Sequence, residues 1–437
     1  MAGLVAAREL AASGRDVLLL EASPEVGGKL RSAQVAGLTV DVGAEAMLAR
    51  RPEGVGLAAS LGVDVVHPTT ATSSIFSRGA LRPMPRSLMG VPFDLAQLAD
   101  SGVLTPEGLA RASTEVDTDV PDDISVGDLV GGRLGDELVE RLVEPLLGGV
   151  YAGSARAISV AAAVPQLLEM ARRGSLLDQV AAVPASGAPV FAGLVGGMGQ
   201  LPGLIRDGGR FEVRTHATVR QLRRTTSGWA LTVGPTTAPE TIEAAAGVLA
   251  TPAAPTARLL ADVSPAAAAE LAAIESASVA VVTLAFAAQD LADQLFDRSG
   301  FLVPPLEQRT IKASTFSFAK WDWVRDLDTD VVVLRTSLGR HGEEVTLHAA
   351  DEGLVRVSLA DLHAMAGITA SPVDSHVQRW GGGLPQYAVG HVERVARIRA
   401  ATDLPGLAVC GAAYDGVGIP AVIGSAHWAV ASVTRAE

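Results

Sequence analysis

The chain has 437 residues, 48 % of them apolar, and its 35 basic against 48 acidic side chains give a formal charge of −13. That apolar content excludes a disordered polymer, and the length suggests about two to three compact units. The acidic balance disfavours a nucleic-acid groove, which needs clustered cations to displace counterions from phosphate. A single cysteine, Cys410, rules out an internal disulfide and a multi-cysteine metal site, and it fits the reducing cytoplasm.

Met1 to Ser13 carries Leu4, Ala7, Leu10 and Ala11 at helical spacing, with Gly14 placed for the left-handed turn after a helix. Asp16 to Glu21 (DVLLLE) then reads as a buried parallel strand whose acidic tip meets a ligand. Helix, turn, strand is the second half of a βαβ nucleotide-binding unit. The N-terminus lacks a signal-peptide pattern, because Arg8, Glu9, Arg15 and Asp16 interrupt it. Ser87 to Gln179 is predicted to be mainly helical, with Val126 to Leu147 as its clearest amphipathic stretch. The longest uncharged run, Gln179 to Ile205, holds Pro184, Pro189, Pro202 and six glycines, so no membrane span is predicted there. Phe211 to Val233 alternates apolar and polar residues around a turn near Ser227 and Gly228. Gly247 to Pro252 predicts a buried strand leading to a turn. Val279 to Phe286 and Asp330 to Leu338 predict strands of a separate mixed sheet. Gly406 to Gly411 predicts a further strand, and Ile419 to Val433 the helix after it.

A dinucleotide site takes a glycine turn at a helix N-terminus for pyrophosphate and an acid about 20 residues onward for a ribose. Gly3 and Glu21 match the end of that pattern, although as a bare pair they suit an ordinary helix and strand equally well. Just past the strand tip, Gly27, Gly28 and Lys29 add two points of close backbone approach and a cation that can face phosphate. Other constellations are weaker. His341, His348 and His363 lack the spacing of a zinc helix, and Ser159 and Ser186 lack a nucleophile elbow. Cys410 and His391, the latter beside Tyr387, read as packing groups.

The run LLLEASPEVGGKLRS, residues 18 to 32, resembles the amine-oxidase-like flavoproteins. Five later segments narrow the resemblance to the FAD-containing protoporphyrinogen and coproporphyrinogen oxidase group. They are EPLLGGVYAGSARAISVAAAVPQ (144 to 166), GLVGGMGQ (193 to 200), SGFLVP (299 to 304), RWGGGLPQYAVGH (379 to 391) and GAAYDGVGI (411 to 419). The resemblance implies an α/β fold with a Rossmann-like FAD-binding domain built from residues 1–75, 190–255 and 375–437. A mainly helical insert over 76–189 and a mixed-sheet substrate-binding region over 256–374 complete it.

Position by position, the resemblance implies that Glu21 and Ala22 hold the adenosine ribose region, while Gly3, Gly28 and Lys29 lie along the dinucleotide. Gly43, Ala44, Glu45 and Ala46 would approach the flavin side of FAD, and Val219 would offer backbone bonds to adenine. Trp380 would line the flavin pocket, with Val417, Gly418 and Ile419 at the isoalloxazine. The reaction implied is oxidation of a porphyrinogen, coproporphyrinogen III ahead of protoporphyrinogen IX. FAD accepts the electrons, molecular oxygen reoxidises it, and no side-chain acid or base is obligatory. Arg78 and Arg82 are candidate anchors for substrate propionates. Rival functions are an amine oxidase of the same architecture and a flavin-free binding partner. Peripheral membrane contact and oligomeric state stay open. The sequence departs from the group's pattern twice. Met1 stands just before the Ala2-Gly3-Leu4 end of a GxGxxG turn, so the expected first strand and most of that turn do not precede it. Glu45-Ala46 stands where relatives carry a shorter acid and a hydroxyl.

Overall fold

In the computed structural model, which describes residues 1–184 and 187–435, the apolar stripe at the start of the chain folds as helix α1 (Ala2–Ala12). Ser186 lies outside the described residues. Gly14 takes φ +85°, the left-handed conformation that lets the chain turn into strand β1 (Leu18–Leu20). A hairpin of Ser32–Val35 with Leu38–Asp41 follows, then a second of β2 (Thr72–Ser77) with β3 (Ala80–Pro83).

The insert supplies α2 (Val126–Leu134) and α3 (Glu144–Tyr151). The amphipathic stretch predicted over Val126 to Leu147 is not one helix. Gly135, at φ +100°, breaks it, and Val139–Val143 winds as a π-helix. A short antiparallel pair, Ser87–Leu88 with Val91–Pro92, also interrupts the region predicted as helical. The apolar face nevertheless does what its spacing requires: Leu129, Leu134, Leu142 and Leu147 are buried together in the insert's own core.

Strands β4 (Glu212–Arg214) and β5 (Gly247–Leu249) come next. The second sheet follows with β6 (Ser276–Ala287), β7 (Arg298–Leu302), β8 (Ile311–Thr315), β9 (Val331–Leu338), helix α4 (Asp351–Ala366) and β10 (Asp374–Pro385). The chain closes on β11 (Leu407–Val409) and α5 (Ile419–Thr434). β1 pairs in parallel with β4, and β5 with β11. Helix α1 packs against β1, β5 and α5, with Leu4, Val5, Ile423, Ala426 and Val430 in one apolar cluster.

The second sheet runs β10-β6-β9-β8-β7-β2-β3 and is mixed through its parallel β7–β2 pair. Two strands of this sheet come from the edges of the segments expected to bind the nucleotide. β10 pairs with β6 from Ser276↔Pro385 to Ala285↔Asp374, so residues 375–385 form an edge of this sheet. Residues 72–75 likewise lie on β2, beside β7. The cause is β6, an almost continuous apolar strand whose two edges must both be covered, here by β9 and β10.

Candidate flavin and substrate site

Open α/β sheets bind ligands beyond the carboxyl ends of their parallel strands, where helix N-termini point their N–H groups. The ends of β1, β5 and β11 meet the first turn of α1 and the second turn of α5. A Cβ on Gly3 would lie 3.2 Å from Ala250, the residue after β5, and the Gly411 N–H donates to Ser425 Oγ on α5 at 3.0 Å. The Met1 amino group donates to the Gly27 carbonyl at 3.5 Å. Burial pushes that amine down to about 6, and Cys410, Glu21 and Lys29 are the ionisable groups around it. The tip of β1, the Gly27–Lys29 loop and the end of β11 therefore converge on one spot.

At the β1 tip the Glu21 N–H donates to the Arg214 carbonyl at 2.9 Å, and the Glu21 carbonyl accepts from Ala217 at 2.8 Å. The carboxylate accepts the Ser23 N–H at 2.8 Å, and the Ser23 carbonyl accepts from His216 at 3.1 Å. These bonds fasten Glu21 and Ala22 to the segment that leads into the strand Val219–Arg224, so the predicted ribose and adenine contacts are neighbours. Gly28 sits at φ +63° with open space where a Cβ would be.

The predicted flavin-side residues also meet. The Ala44 N–H donates to the Lys29 carbonyl at 3.0 Å, and a Cβ on Gly43 would lie 2.0 Å from that same oxygen and 3.3 Å from the Trp380 ring. Only glycine allows this approach. Lys29 Nζ donates to the Gly383 carbonyl on β10, and burial pulls its pKa down. The half-buried Trp380 ring carries the Arg31 guanidinium 5.7 Å from its centroid. Glu45 is 6 % exposed. Its carboxylate accepts from Ser317 Oγ at 2.6 Å, Arg335 at 3.1 Å and Lys320 Nζ at 3.3 Å. Burial alone would raise it, but Arg335, Lys320 and Ser317 outweigh that and hold it at about 2. Arg335 also donates to the Gly43 carbonyl at 2.7 Å. The Glu45 side chain and the Gly43 carbonyl thus both clamp this segment to β9 through Arg335.

Asp41 anchors the loop after Leu194, accepting from Met198 N at 2.7 Å and Gly199 N at 2.8 Å. Burial nevertheless raises it to about 6. At the other helix, Gly418 is the N-cap of α5 and its carbonyl accepts from Val422 at 3.0 Å. The Val417 side chain packs on the insert core, and Ile419 is buried in the α1–α5 cluster. Tyr387 Oη accepts the Gly416 N–H at 2.8 Å and donates to the Ala412 carbonyl at 2.6 Å, bracing the turn before α5. His391 stacks on that ring at 3.9 Å, and burial pushes it down to about 4, so it is neutral. Burial drives the Cys410 thiol up to about 12, which makes it inert.

Arg78 and Arg82 do not join this group. Arg78 donates to the carbonyls of Leu104 at 2.8 Å and Gly102 at 3.4 Å, and Arg82 donates to Ser77 at 2.9 Å. Among the described residues no three His, Cys, Asp or Glu side chains gather as metal ligands, and no helix is long and apolar enough to cross a membrane. Sequence reasoning missed Arg335, Ser317 and Lys320. The available signal was Arg335 itself, a lone cation inside the apolar run VVVLRTSL.

The site suits a flavin nucleotide: a cation and forced glycines at one end, an acid beside a β-strand at the other, and helix N-termini between them. Fold and site together define a flavin-dependent oxidoreductase. The chain belongs to the Flavin containing amine oxidoreductase family, which it matches over residues 1–434. It is 38 % identical to the coproporphyrinogen III oxidase of Mycobacterium tuberculosis (strain H37Rv), over 98 % of this chain and 94 % of that one. A crystal structure from Exiguobacterium sp. 255-15, assigned as a protoporphyrinogen oxidase, superimposes with a TM-score of 0.88 at 30 % identity, covering 100 % of this chain and 96 % of that one. The cyclohexylamine oxidase of Brevibacterium oxydans IH-35A shares the fold alone, at TM-score 0.70 and 16 % identity, over 99 % and 96 % of the two chains.

Proposed function

We propose that this protein is an FAD-dependent coproporphyrinogen III oxidase that uses molecular oxygen as the final acceptor. The observation that carries the reading is the 38 % identity, along nearly the whole chain, to a relative of that name. The amine oxidase neighbour shares only the fold. FAD rather than a mononucleotide is supported by two separate clusters: Glu21, Ala22 and Val219 suit an adenosine, and Lys29, Gly43 and Trp380 suit a ring system. Bound flavin supplies two-electron acceptance, and three such oxidations, each reducing one O2 to H2O2, convert a porphyrinogen to a porphyrin. The chain's own residues position. Gly43 and Ala44 bring backbone close, Glu45 and Arg335 lock that segment to β9, and α3 of the insert packs over β7 and β8. The Exiguobacterium structure favours protoporphyrinogen IX as a second reading.

The test is oxidation in air of coproporphyrinogen III, protoporphyrinogen IX and cyclohexylamine by the FAD-loaded protein. The expected result is porphyrin fluorescence with coproporphyrinogen III at the highest kcat/KM. A higher value for protoporphyrinogen IX selects the second reading, and a flavin-bound protein that oxidises neither porphyrinogen overturns both.

A further inference from the structure

The far end of β9 carries charges that the flavin cradle does not use. Arg335, facing Thr315 on β8, reaches Gly43 and Glu45. Ser337 lies on the same face and is in register with Ala313, which faces Leu302 on β7. Arg340 follows just past the strand, after Gly339 at φ +93°, five residues from Arg335 and so at most about 16 Å away at ~3.3 Å per residue. A half-buried row of Leu302, Ala313 and Ser337 therefore continues the Arg335 face of the sheet toward the end of β9, after which Arg340 follows.

Beside Arg340 lies Lys312, at the point where the β8–β9 register slips between Ile311 and Ala313. It is only 5 % exposed. Its Nζ donates to the Gly148 carbonyl of α3 at 3.3 Å, and the charged group acting on it is another cation, Arg340. Arg340 in turn donates to the carbonyls of Arg309 and Val303, both at 3.3 Å, and three carboxylates act on it: the exposed Glu343 at 3.9 Å, Glu144, and Asp361, which already takes the Thr310 and Ile311 N–H groups. Lys312 and Arg340 line one cavity of about 260 Å³ between α3 and the sheet, with Glu144 and His341 on its walls. The Glu144 carboxylate takes the Ala155 N–H, and burial raises its pKa, which weakens it as a counterion.

Burying two cations side by side is costly unless an anion joins them. A methionine would fill the space of Lys312 without that cost. The ligand that suits two adjacent cations in a cavity this small is a single carboxylate. We infer that this cavity seats one ionised carboxylate arm of the substrate between Lys312 Nζ and the Arg340 guanidinium. The inference rests on the porphyrinogen reading, in which the propionates are the substrate's ionised groups. The macrocycle would then lie over Leu302, Ala313 and Ser337, between this anchor and the flavin.

The test is binding of coproporphyrin III and of its tetramethyl ester to the FAD-loaded protein, followed by porphyrin fluorescence, with turnover of coproporphyrinogen III measured alongside. Lys312→Met and Arg340→Gln are expected to weaken binding of the tetra-acid by about tenfold or more, Lys312→Arg by less than about threefold. None should change binding of the ester. Thermal melts identify any variant that fails to fold, and Lys312→Arg keeps the comparison alive in that case. Tetra-acid binding by Lys312→Met as tight as wild type, or an ester bound as tightly as the acid, overturns the inference while turnover leaves the function standing. Lys312-dependent binding with no turnover does the reverse. A wild-type protein that binds neither coproporphyrin III nor glutarate overturns the anchor outright.

Discussion

The Glu45 carboxylate and the Arg335 guanidinium meet at 3.1 Å across 290 positions of sequence, joining the Gly43–Ala46 segment to strand β9. Both are largely buried, and Lys320 Nζ stands on the same carboxylate at 3.3 Å. Glu45→Gln removes one charge and leaves two cations without a partner, which is the costly way to break a buried pair. We expect a loss of about 3 kcal/mol in urea unfolding. A Glu45→Gln protein as stable as wild type would mean that water, not the carboxylate, balances Arg335.

Glu45 and Asp41 titrate in opposite directions, and the pH dependence of stability should show it. Glu45, held at about 2 against an ordinary 4.5, contributes stability that is complete above 4.5 and lost as pH falls toward 2. Asp41, raised to about 6 against 3.8, contributes stability that is complete below 3.8 and lost as pH rises through 6. Denaturation series from about pH 3 to 8 on wild type, Glu45→Gln and Asp41→Asn separate them. The advantage of wild type over Glu45→Gln should shrink on the acid side. Its advantage over Asp41→Asn should shrink toward neutrality, whatever the constant cost of placing an amide against Met198 and Gly199. Parallel curves for all three proteins would remove both assignments.

The Gly43 approach to Lys29 makes a sharp prediction about flavin retention. A Cβ 2.0 Å from a backbone carbonyl cannot be accommodated by a rotamer change, so Gly43→Ala must push the two segments apart. Flavin bound per chain, read from the visible absorption band after gel filtration, should fall sharply, with a stability loss of about 2–4 kcal/mol. Lys29→Met keeps the backbone contact and removes only the buried cation. It should weaken flavin binding by about tenfold with little change in melting temperature. Full flavin content in Gly43→Ala would show that this backbone does not touch the cofactor.

Arg78 and Arg82 test the opposite expectation. The Arg78 guanidinium bonds the Gly102 and Leu104 carbonyls, which ties the β2–β3 hairpin to the insert, and that of Arg82 bonds the Ser77 carbonyl across the hairpin itself. Arg78→Gln and Arg82→Gln should therefore lower the melting temperature while leaving KM for the porphyrinogen within about twofold. A tenfold rise in KM without loss of stability would restore them as propionate anchors.

Much of this was legible in the sequence for a physical reason. Helix α1, strand β1 and the Glu21 tip announce themselves through periodicity and an apolar run ending in a charge, and both are local. Gly43, Trp380 and Gly418 were reachable only through family resemblance, since a glycine that meets a carbonyl 14 residues away leaves no local pattern. The Glu45 clamp could not be read at all. Its partners Ser317 and Lys320 share one short helix and Arg335 lies on β9, two later stretches whose convergence depends on sheet order, and the place of β10 in the second sheet was hidden for the same reason: pairing partners are chosen by tertiary packing. The single break in Val126 to Leu147 was visible as Gly135, but helical periodicity on either side concealed it.

The carboxylate anchor carries its own pH signature. Burial, with Arg340 adding to it, pulls Lys312 down to about 7. The other charged or titratable groups facing it are Glu144 from α3, and His341 and Glu343 from the segment after β9. Only the protonated amine attracts a carboxylate, so an empty site must take up a proton before or as it binds, and more so the further pH rises above 7. KM for coproporphyrinogen III should accordingly climb above about pH 7, approaching tenfold per unit, while kcat stays level. Lys312→Arg, charged at every accessible pH, should hold the low KM into alkaline buffer. Lys312→Met should show the high KM throughout, with no slope. If wild type and Lys312→Arg trace the same flat line from neutral to alkaline pH, Lys312 is already charged in the empty cavity, and the proton uptake that this argument requires does not occur.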